Sequence, residues 1–421
     1  MGVNSGHFCA VDLGSHKITV AIGQLADNNG IKILGVSQKK SRGIKQGAVI
    51  NIEMATETLS AAIDEAKSIA GVDISDVTIG ISSPSISGFN SYGLAAVENG
   101  EVSIEDLAMA IKTAKAVPMS ADTEMLHVLQ RDYVVDGQPG VTEPIGMFAV
   151  RLESNVHIIV ASSRLLQNVR KCVSSCGYNI SNIVVEHLAS SSATLTDNEK
   201  EMGVCLVNIG ADSTNFTVFN DGGICYTSSI QAGGSSISSD ISKVFRLHIE
   251  AAESLKLQYG YAASKYLKNP DEKIDIPNSL GNAKKRISQQ DLSLVIESRL
   301  EEIFESLYND LDKHRLLDVI SSGIVFTGGG AKLKGLVRLA EDIFKLPVRV
   351  GGPIEVSGAN EIVHNPSYST VVGLLKYAIE NADVQREQKS DEDLKEIDEN
   401  SQNKSKKKIF SSVKGWFSSN F

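Results

Sequence analysis

The chain has 421 residues, with 41 Lys and Arg against 51 Asp and Glu, which gives a formal net charge of −10. Apolar residues make up 42% and charged residues 22%, as in ordinary soluble proteins. The length predicts two or three domains, and the acidic balance argues against nucleic acid as the main partner. No apolar run of about 18 residues predicts a membrane span, and MGVNSGHF does not have the pattern of a secretory signal.

Strand-like and helix-like segments alternate along residues 1–379, which favours an α/β fold. The predicted strands are 8–13, 18–23, 77–82, 156–162, 203–209, 216–219 and 323–327. The predicted helices are 53–70, 104–117, 163–176, 235–258, 290–313, 331–345 and 367–380. The acidic segment 380–399 has almost no apolar residues, so we expect a disordered linker there.

A short internal repeat predicts two related lobes. The segment CAVDLG, from Cys9, aligns with CLVNIG, from Cys205. Each copy has an apolar strand, a Gly turn with small polar residues and a second strand, which predicts a β-hairpin. Because the hairpin is duplicated, we expect two lobes that face each other.

Two of the candidate chemical sites are the Gly turns of these hairpins. Asp12, at the end of a strand, could hold a hydrated cation, and the turn with Gly14, Ser15 and Lys17 could contact phosphate oxygens. An ordinary hairpin with a polar turn is the alternative. In the second copy Asn208 replaces the carboxylate, and an amide cannot act as a base.

A third Gly turn and a charged pair complete the candidates. Gly328, Gly329 and Gly330 separate an apolar strand from a predicted helix, and their bare backbone would let a planar ligand approach closely. Glu253 and Lys256 are three residues apart on one predicted helix face. A solvated ion pair on the helix surface is the alternative for them.

The C-terminal segment predicts an amphipathic helix. At about 100° per residue its six apolar side chains fall in one arc of about 140°. At roughly 20–25 Å the helix is too short to span a bilayer, so it fits an anchor on anionic lipid. Docking on a protein partner is the alternative. The membrane residues are Lys406, Lys407, Lys408, Ile409, Phe410, Val413, Trp416, Phe417 and Phe421.

These motifs, in this order, resemble the FtsA family of bacterial cell-division proteins, within the superfamily of actin, chaperone and sugar-kinase ATPases. The resemblance covers nearly the whole chain. It implies an α/β, actin-like two-lobed fold with a nucleotide cleft, a small inserted α+β subdomain and a C-terminal amphipathic helix on a disordered linker. It rests on CAVDLGSHKITVAIG, SRGIKQGAVINIE, VCLVNIGADSTNFTVF, QAGGSSISSDI, IVFTGGGAKLKGL, PSYSTVVGLLKYA and the terminal helix.

The resemblance also implies a division of the chain. Lobe 1 takes 7–83, 163–195 and a return segment at 346–379, and the inserted subdomain takes 84–162. The core of lobe 2 takes 196–240 and 301–345, and its small subdomain takes 241–300. The linker takes 380–405 and the membrane-targeting helix takes 406–421.

ATP and Mg²⁺ are the cofactors that the resemblance implies. Asp12 would lie beside Mg²⁺, through a water molecule, and Gly14, Ser15 and Lys17 would lie beside the β- and γ-phosphates. The other nucleotide residues are Gly210, Ala211, Asp212 and Ser213 in the second phosphate loop, Gly233 and Gly234 in QAGGSS, Glu253 and Lys256 near the ribose and adenine, and Gly328, Gly329 and Gly330 in the adenosine pocket.

The second phosphate loop departs from the superfamily pattern. Where the superfamily has Asp-x-Gly-Gly-Gly-Thr, this chain has Asn208-Ile209-Gly210-Ala211-Asp212-Ser213. The usual Asp helps to order the attacking water, and Glu186 stands where the superfamily has a water-orienting acid or amide. Because phosphoryl transfer depends on charge and positioning, we expect ATP binding with weak hydrolysis at most.

The resemblance implies four partners and a location. The C-terminal peptide of FtsZ, a tubulin-like filament protein, would bind near 241–300, where Lys285, Arg286 and Arg299 could meet acidic residues. The other partners would be further copies of the chain in filaments, anionic lipid and later division proteins. The implied role is to anchor FtsZ filaments, the Z ring, at the division site on the cytoplasmic face of the inner membrane.

Two other functions remain open at this point. An actin-like pilus-assembly protein would share the inserted subdomain, but such proteins normally lack the terminal amphipathic helix. A sugar-kinase-like phosphotransferase would need a catalytic Asp base and a polar sugar pocket, and the sequence identifies neither. The large C-terminal peptide-binding domain of actin-like chaperones does not fit in the 42 residues after 379.

Overall fold

The computed structural model of the chain describes residues 6–26, 30–276, 285–359, 362 and 364–382. The predicted linker at 380–405 lies almost wholly outside these residues. The predicted helix at 406–421, with every membrane residue named above, lies wholly outside them. Within the described ranges, no helix is long and apolar enough to cross a membrane.

Strands and helices alternate along the chain. The strands are β1 (Phe8–Leu13), β2 (Lys17–Leu25), β3 (Ile31–Lys40), β4 (Ile44–Lys45), β5 (Ala48–Val49), β6 (Asp76–Ile81), β7 (Ser87–Ala96), β8 (Thr123–Val135), β9 (Gln138–Val141), β10 (Arg151–Ser162), β11 (Asn179–Val185), β12 (Val204–Ile209), β13 (Thr214–Asn220), β14 (Gly223–Ile230), β15 (Lys273–Ile276), β16 (Lys285–Ser288), β17 (Ile324–Thr327), β18 (Val348–Val350) and β19 (Val356–Ser357). The α-helices are α1 (Ile52–Ala70), α2 (Ile104–Lys115), α3 (Ser163–Ser175), α4 (Glu186–Thr194), α5 (Asp197–Met202), α6 (Gly234–Phe245), α7 (Ile249–Tyr259), α8 (Gln289–Lys313) and α9 (Leu336–Phe344). Residues 369–382 form a further helix, which we name the return helix.

Two sheets form the centres of two lobes. The strand order is β11-β6-β1-β2-β3-β19 in lobe 1 and β14-β13-β12-β17-β18 in lobe 2. In each sheet an antiparallel hairpin, β1–β2 or β12–β13, lies beside a parallel strand, β6 or β17. Asp12 and Asn208 occupy equivalent positions, opposite Thr19 and Asn215. The predicted hairpins, the duplication and the two-lobed α/β fold are therefore confirmed.

A third sheet, which we name the inserted sheet, follows β6 and precedes α3. Its strand order is β7-β10-β8-β9, with antiparallel pairing throughout. Leu107 of α2 is buried in one core with Tyr133 and Leu152 of the sheet. The sheet also meets lobe 2, because Asn90 Nδ2 donates a hydrogen bond of 3.0 Å to the Cys225 carbonyl. The inserted sheet is therefore joined to lobe 1 by the chain and to lobe 2 by contact.

Capping residues mark the ends of α1 and α8, the longest described helices of lobe 1 and lobe 2. The side chain of Asn51 accepts a hydrogen bond from the Met54 backbone N–H at the start of α1, and Gly71 ends that helix with φ 67°. Ser288 and Asp291 form a reciprocal capping box at the start of α8. These local signals explain why both predictions agree with the structure to within a residue.

Two helix predictions are wrong in extent. The predicted helix 235–258 is two helices, because Arg246 has φ 58° and its N–H turns back to the Ser242 carbonyl, which ends α6. The predicted helix 331–345 begins only at Leu336. Gly335 before it has φ 81°, and the preceding residues Gly329–Lys332 form a 3-10 turn. In both places a residue in the left-handed backbone conformation breaks the helix, and hydrophobic periodicity alone does not predict such a break.

Candidate functional site

A cavity of about 480 Å³ opens between the two lobes, and the predicted motifs meet at its walls. The turns after β1 and β12, the start of α6, one face of α7 and the Gly segment after β17 all contribute to it. Residues far apart in both halves of the chain are thereby brought to one place. The predicted residues that line it are Asp12, Gly14, Ser15, Lys17, Glu186, Asn208, Gly210, Ala211, Gly234, Glu253, Lys256, Gly328, Gly329 and Gly330.

Asp212 and Ser213 were predicted at the phosphates but do not line this cavity. Asp212 Oδ2 accepts a hydrogen bond of 3.0 Å from the Gln46 backbone N–H, and Ser213 Oγ lies 3.5 Å from Ser82 Oγ. Both partners belong to lobe 1. These two side chains therefore hold the second turn against the opposite lobe.

Gly233 also does not line the cavity. It packs against the backbone of the second turn, at Gly210 and Ala211. The Gly234 N–H donates to the Gly210 carbonyl at 3.0 Å, and the Ser235 N–H donates to the Ala211 carbonyl at 2.8 Å. A Cβ at Gly233 would lie 2.7 Å from both of those carbonyl oxygens. A side chain there would push the turn away from the start of α6.

Two carboxyl groups and a lysine lie on the same cavity: Asp12 and Lys17 flank the first turn, and Glu186 begins α4. Asp12 is half-buried, and burial, followed by the charge of Glu186, raises its pKa well above its ordinary value, whereas Lys17 acts in the opposite direction. Burial lowers the pKa of Lys17, with Asp12 opposing and the charge of Lys332 adding to that effect. A divalent cation beside Asp12 would relieve the repulsion between the two carboxylates.

Asn208 and Glu186 are linked directly. Asn208 Nδ2 donates to Glu186 Oε1 at 3.0 Å and to Ser190 Oγ at 3.1 Å. Thr370 Oγ1 also donates to Glu186 Oε1, at 3.4 Å. Burial raises the pKa of Glu186, and hydrogen bonds from Ser82, Asn208 and Thr370 oppose that rise. The amide of Asn208 therefore holds the carboxylate of Glu186 in place.

Among the described residues, Asn208 leaves one unsatisfied acceptor in this site. Asn208 Oδ1 is buried and has no hydrogen-bond partner in the described part of the chain. Lone buried acceptors are costly, so a donor from a ligand or its water shell is expected there. Mg²⁺ binds proteins through one or two carboxylates, water and phosphate. The orphan acceptor, Asp12 and Lys17 together fit a hydrated Mg²⁺ with a polyphosphate.

Glu253 and Lys256 form a fixed pair on the cavity wall. Lys256 Nζ donates to Glu253 Oε2 and to the Gly234 carbonyl, each at 2.8 Å, and Ser238 Oγ also donates to Glu253. Burial raises the pKa of Glu253, but the hydrogen bonds from Lys256 and Ser238 outweigh it, so the pKa lies below its ordinary value. The Lys256 side chain is only 11% exposed. This is a structured pair joining α7 to α6, and the surface ion pair considered above is excluded.

Sequence reasoning missed several residues at this site, and three of them bear on its charge or on the position of Asn208. Lys332 lines the cavity two residues after Gly330, so a search for cations beside the Gly segment would have found it. Thr370 lines the cavity from the return helix, and Ser190 supports Asn208 from α4. No local pattern marks Thr370 or Ser190, because only tertiary packing brings them to Asn208.

Known proteins match most of the chain. A family model described as "Cell division protein FtsA" matches residues 205–373, and one described as "SHS2 domain inserted in FTSA" matches 84–160. The cell division protein FtsA of Pseudomonas aeruginosa is 39% identical over 370 residues, which cover 88% of each chain. That of Borreliella burgdorferi is 36% identical over 409 residues, which cover 97% of each chain.

The chain belongs to the FtsA family. It is therefore a cell-division protein, and the pilus-assembly and sugar-kinase alternatives are not favoured.

Two solved structures agree with this FtsA-family chain in fold at 14% identity. The "PilM-PilN type IV pilus biogenesis complex" has a TM-score of 0.63 over 88% of this chain and 98% of that one. MreB5 of Spiroplasma citri has a TM-score of 0.57 over 90% and 99%. The actin-like fold with an inserted SHS2 domain is thus confirmed.

The predicted partner-binding arginines of this FtsA-family chain already have ion-pair partners. Arg286 Nε donates to Asp275 Oδ1 at 2.8 Å, and Arg299 Nε donates to Asp240 Oδ2 at 2.6 Å. Lys285 begins β16, and its side chain lies outside the described residues. An acidic peptide at these arginines would have to compete with the chain's own carboxylates.

Gly328→Ala should lower the free energy of unfolding by about 2–4 kcal/mol. Gly328 has φ 83°, and a Cβ there would lie 2.1 Å from Asn208 Oδ1. Gly329→Ala is the matched control, because the nearest atom to its added Cβ is Ser367 Oγ at 4.0 Å. Thermal unfolding of this FtsA-family chain checks the prediction, and equal melting temperatures for the two variants would contradict it.

Proposed function

We propose that this FtsA-family protein binds ATP with Mg²⁺ between its lobes and anchors FtsZ filaments to the inner membrane. The observation that carries the nucleotide part is the convergence of both Gly-turn hairpins and the Gly328–Gly330 segment on a cavity of about 480 Å³, a size typical of sites for small ligands. MreB5 of Spiroplasma citri, a neighbour in fold, was solved with ADP bound.

Each wall of the cavity would hold a different part of the nucleotide. Asp12 would hold Mg²⁺ through water, and the turn with Gly14, Ser15 and Lys17 would hold the β- and γ-phosphates. Bound Mg²⁺ would supply charge neutralisation at the phosphates. Gly210, Ala211 and Gly234 would complete the phosphate side, Glu253 and Lys256 would face the ribose and adenine, and Gly328, Gly329 and Gly330 would form the adenosine pocket.

Hydrolysis would be weak. Glu186 would orient the attacking water, and it is held by Asn208 Nδ2 at 3.0 Å. The equivalent superfamily position has an ionised Asp, which adds negative charge for ordering the water. Asn208 supplies an uncharged acceptor instead, so less of the electrostatic work of phosphoryl transfer can be done here.

The scaffold role follows from family membership and from the C-terminal sequence. The chain would polymerise with further copies of itself, bind the FtsZ C-terminal peptide through 241–300 and recruit later division proteins through the inserted subdomain. Its terminal segment would bind anionic lipid on the cytoplasmic face at the division site. One short helix gives modest membrane affinity, so self-association would strengthen attachment through avidity.

Sedimentation with anionic liposomes tests the tether. The full chain and a chain ending at Asn403 are compared with and without ATP, Mg²⁺ and the FtsZ tail peptide. We expect the full chain to pellet and to carry the peptide, and the truncated chain to stay in the supernatant. If the full chain also stays in solution, the lipid part of the proposal fails. If it pellets without the peptide, the FtsZ part fails.

Trp416→Glu should release the protein from anionic vesicles. The substitution puts a charge into the apolar stripe and removes its Trp, so at least about tenfold less protein should pellet. Ser412→Glu, which adds the same charge outside the stripe, is the matched control and should cost far less. Equal binding by both variants would show that the stripe does not enter the lipid surface.

A further inference from the structure

A second, much smaller cavity lies where both lobes and the inserted sheet meet. Its volume is about 10 Å³, close to that of one water-sized sphere. It shares no lining residue with the larger cavity. Its polar lining includes Ser82 and His187 of lobe 1, Ser87 of the inserted sheet, and Asn215, Thr227 and Ser229 of lobe 2.

His187 makes this cavity unusual. The residue is only 6% exposed, and neither Nδ1 nor Nε2 has a hydrogen-bond partner among the described residues. Burial, with the nearby His157 and His127, lowers the pKa of His187 to about 3, so the ring is neutral. A neutral imidazole offers one N–H donor and one acceptor. Two unpaired ring nitrogens in a buried site call for a partner.

Several of the other polar groups are already hydrogen-bonded within the protein. Ser229 Oγ donates to Asn215 Oδ1 at 2.7 Å, and Asn215 Nδ2 donates to Ser82 Oγ at 2.9 Å. Thr227 Oγ1 lies 2.9 Å from His157 Nε2. Ser82 Oγ also has Ser213 Oγ as a neighbour at 3.5 Å, but the hydroxyl oxygens of Thr227 and Ser229 each keep a lone pair that can accept one more hydrogen bond. A partner for the imidazole and these hydroxyls must fit about 10 Å³ and must both donate and accept hydrogen bonds.

We propose that this cavity is a binding site for one ordered water molecule, bonded to His187 and to hydroxyl groups of the neighbouring parts. A phosphate or carboxylate is too large for the space. A water has two donors and two acceptors, so it can serve the imidazole and still bond to hydroxyls of the neighbouring parts.

The water would complete a hydrogen-bonded contact between lobe 2 and the inserted sheet, which we name the joint. His157 Nδ1 lies 2.7 Å from Asn90 Oδ1, and its Nε2 bonds to Thr227, so one imidazole connects both parts. His187 stands next to it from lobe 1 and directly follows Glu186 of the larger cavity. Removing the water would leave His187 unpaired and weaken the packing of β14 against the inserted sheet.

A crystal structure of the full chain without nucleotide tests the site directly. We expect one water within about 3.2 Å of a ring nitrogen of His187. A ring turned to bond a protein group, with no water beside it, would overturn the proposal. Ser83→Ala is the control, because Ser83 lines the cavity but its Oγ already has two partners, Ser85 Oγ at 3.1 Å and the Ser85 backbone N–H at 3.3 Å. That variant should keep the water.

Hydrogen exchange tests the joint in solution. His187→Phe keeps a ring but removes both nitrogens, and we expect the amides of 223–230 to exchange at least about tenfold faster. His187→Gln restores a donor and an acceptor and should exchange like the parent chain. Equal exchange in all three proteins would overturn the role in the joint. If His187→Phe does not fold, the crystal structure and the His187→Gln comparison still decide.

Discussion

Asp12→Asn should weaken Mg²⁺-dependent ATP binding by about 10–100-fold, or about 1.4–2.8 kcal/mol. Asp12 is the carboxylate at the end of β1 that faces the cavity beside Lys17 and Glu186. An amide keeps the shape and one acceptor, but it loses the charge that attracts a divalent cation. Binding without Mg²⁺ should change much less, because the lost interaction is with the metal.

The same variant should make the nucleotide-free protein more stable, by about 1–2 kcal/mol. Burial and the charge of Glu186 raise the pKa of Asp12 in the folded state above its ordinary value of 3.8. Ionisation of Asp12 therefore costs stability as the pH rises from about 4 through that raised pKa. The asparagine has no such cost, so its advantage over the parent should be larger at pH 8 than at pH 5.

Calorimetry of ATP binding with and without Mg²⁺ checks the predicted loss of affinity. Thermal unfolding at pH 5 and pH 8 checks the predicted gain in stability. Asp64→Asn is the matched control, since Asp64 is an exposed carboxylate on α1 of the same lobe. It should change neither quantity. Unchanged Mg²⁺-dependent binding by Asp12→Asn would remove Asp12 from the site, and a lower melting temperature would contradict the charge argument.

The parts of the fold that sequence predicted are those with strong local signals. The repeat CAVDLG and CLVNIG gave both hairpins, because a tight Gly turn between apolar strands has few other structures. In the structure the side chains of Asn51 and Ser288 cap α1 and α8, next to the points where the predicted helices begin. The Gly segment at 328–330 pointed to a ligand site because backbone without side chains lets a planar ligand approach closely.

Several of the missed elements lack a two-sided pattern, although β3, which does alternate between buried and more exposed residues, was missed as well. Helix α4 buries His187, Ala189, Ser190, Ser191, Ala193 and Thr194, so polar and apolar residues are buried together and no amphipathic periodicity appears. The strands β7 and β8 belong to the inserted sheet and have mixed burial along their length. Only their pairing with β10 reveals them.

In the candidate site, too, local motifs could be found from the sequence, whereas contacts made by tertiary packing could not. The Gly motifs and Asp12 were found from local sequence, whereas the support beneath Glu186 comes from α4, β12 and the return helix together. The resemblance implied a phosphate role for Asp212 from its place in the motif, and place alone does not tell which way a turn side chain points. Its hydrogen bond from Gln46, on the other lobe, decides that.

Asn208→Asp should raise the rate of ATP hydrolysis per bound nucleotide by at least about tenfold, within the range of general-base effects. The new carboxylate would lie beside Glu186 at the cavity, where an ionised group can order the attacking water. Single-turnover hydrolysis at saturating ATP and Mg²⁺ measures this without counting differences in affinity. A rate equal to that of the parent would show that Asn208 is not what limits hydrolysis.

The gain should come with a loss of stability of about 2–4 kcal/mol in the nucleotide-free protein. Asn208 Nδ2 donates to Glu186 Oε1 at 3.0 Å, so an aspartate replaces a hydrogen bond with repulsion between two carboxylates. Asn215→Asp is the matched control, since Asn215 pairs with Asn208 in the hairpin and is equally buried but does not line the cavity. It should also destabilise the fold and leave hydrolysis unchanged. If both variants hydrolyse ATP faster, the faster rate comes from destabilisation of lobe 2. If only Asn208→Asp does, the charge at position 208 sets the rate.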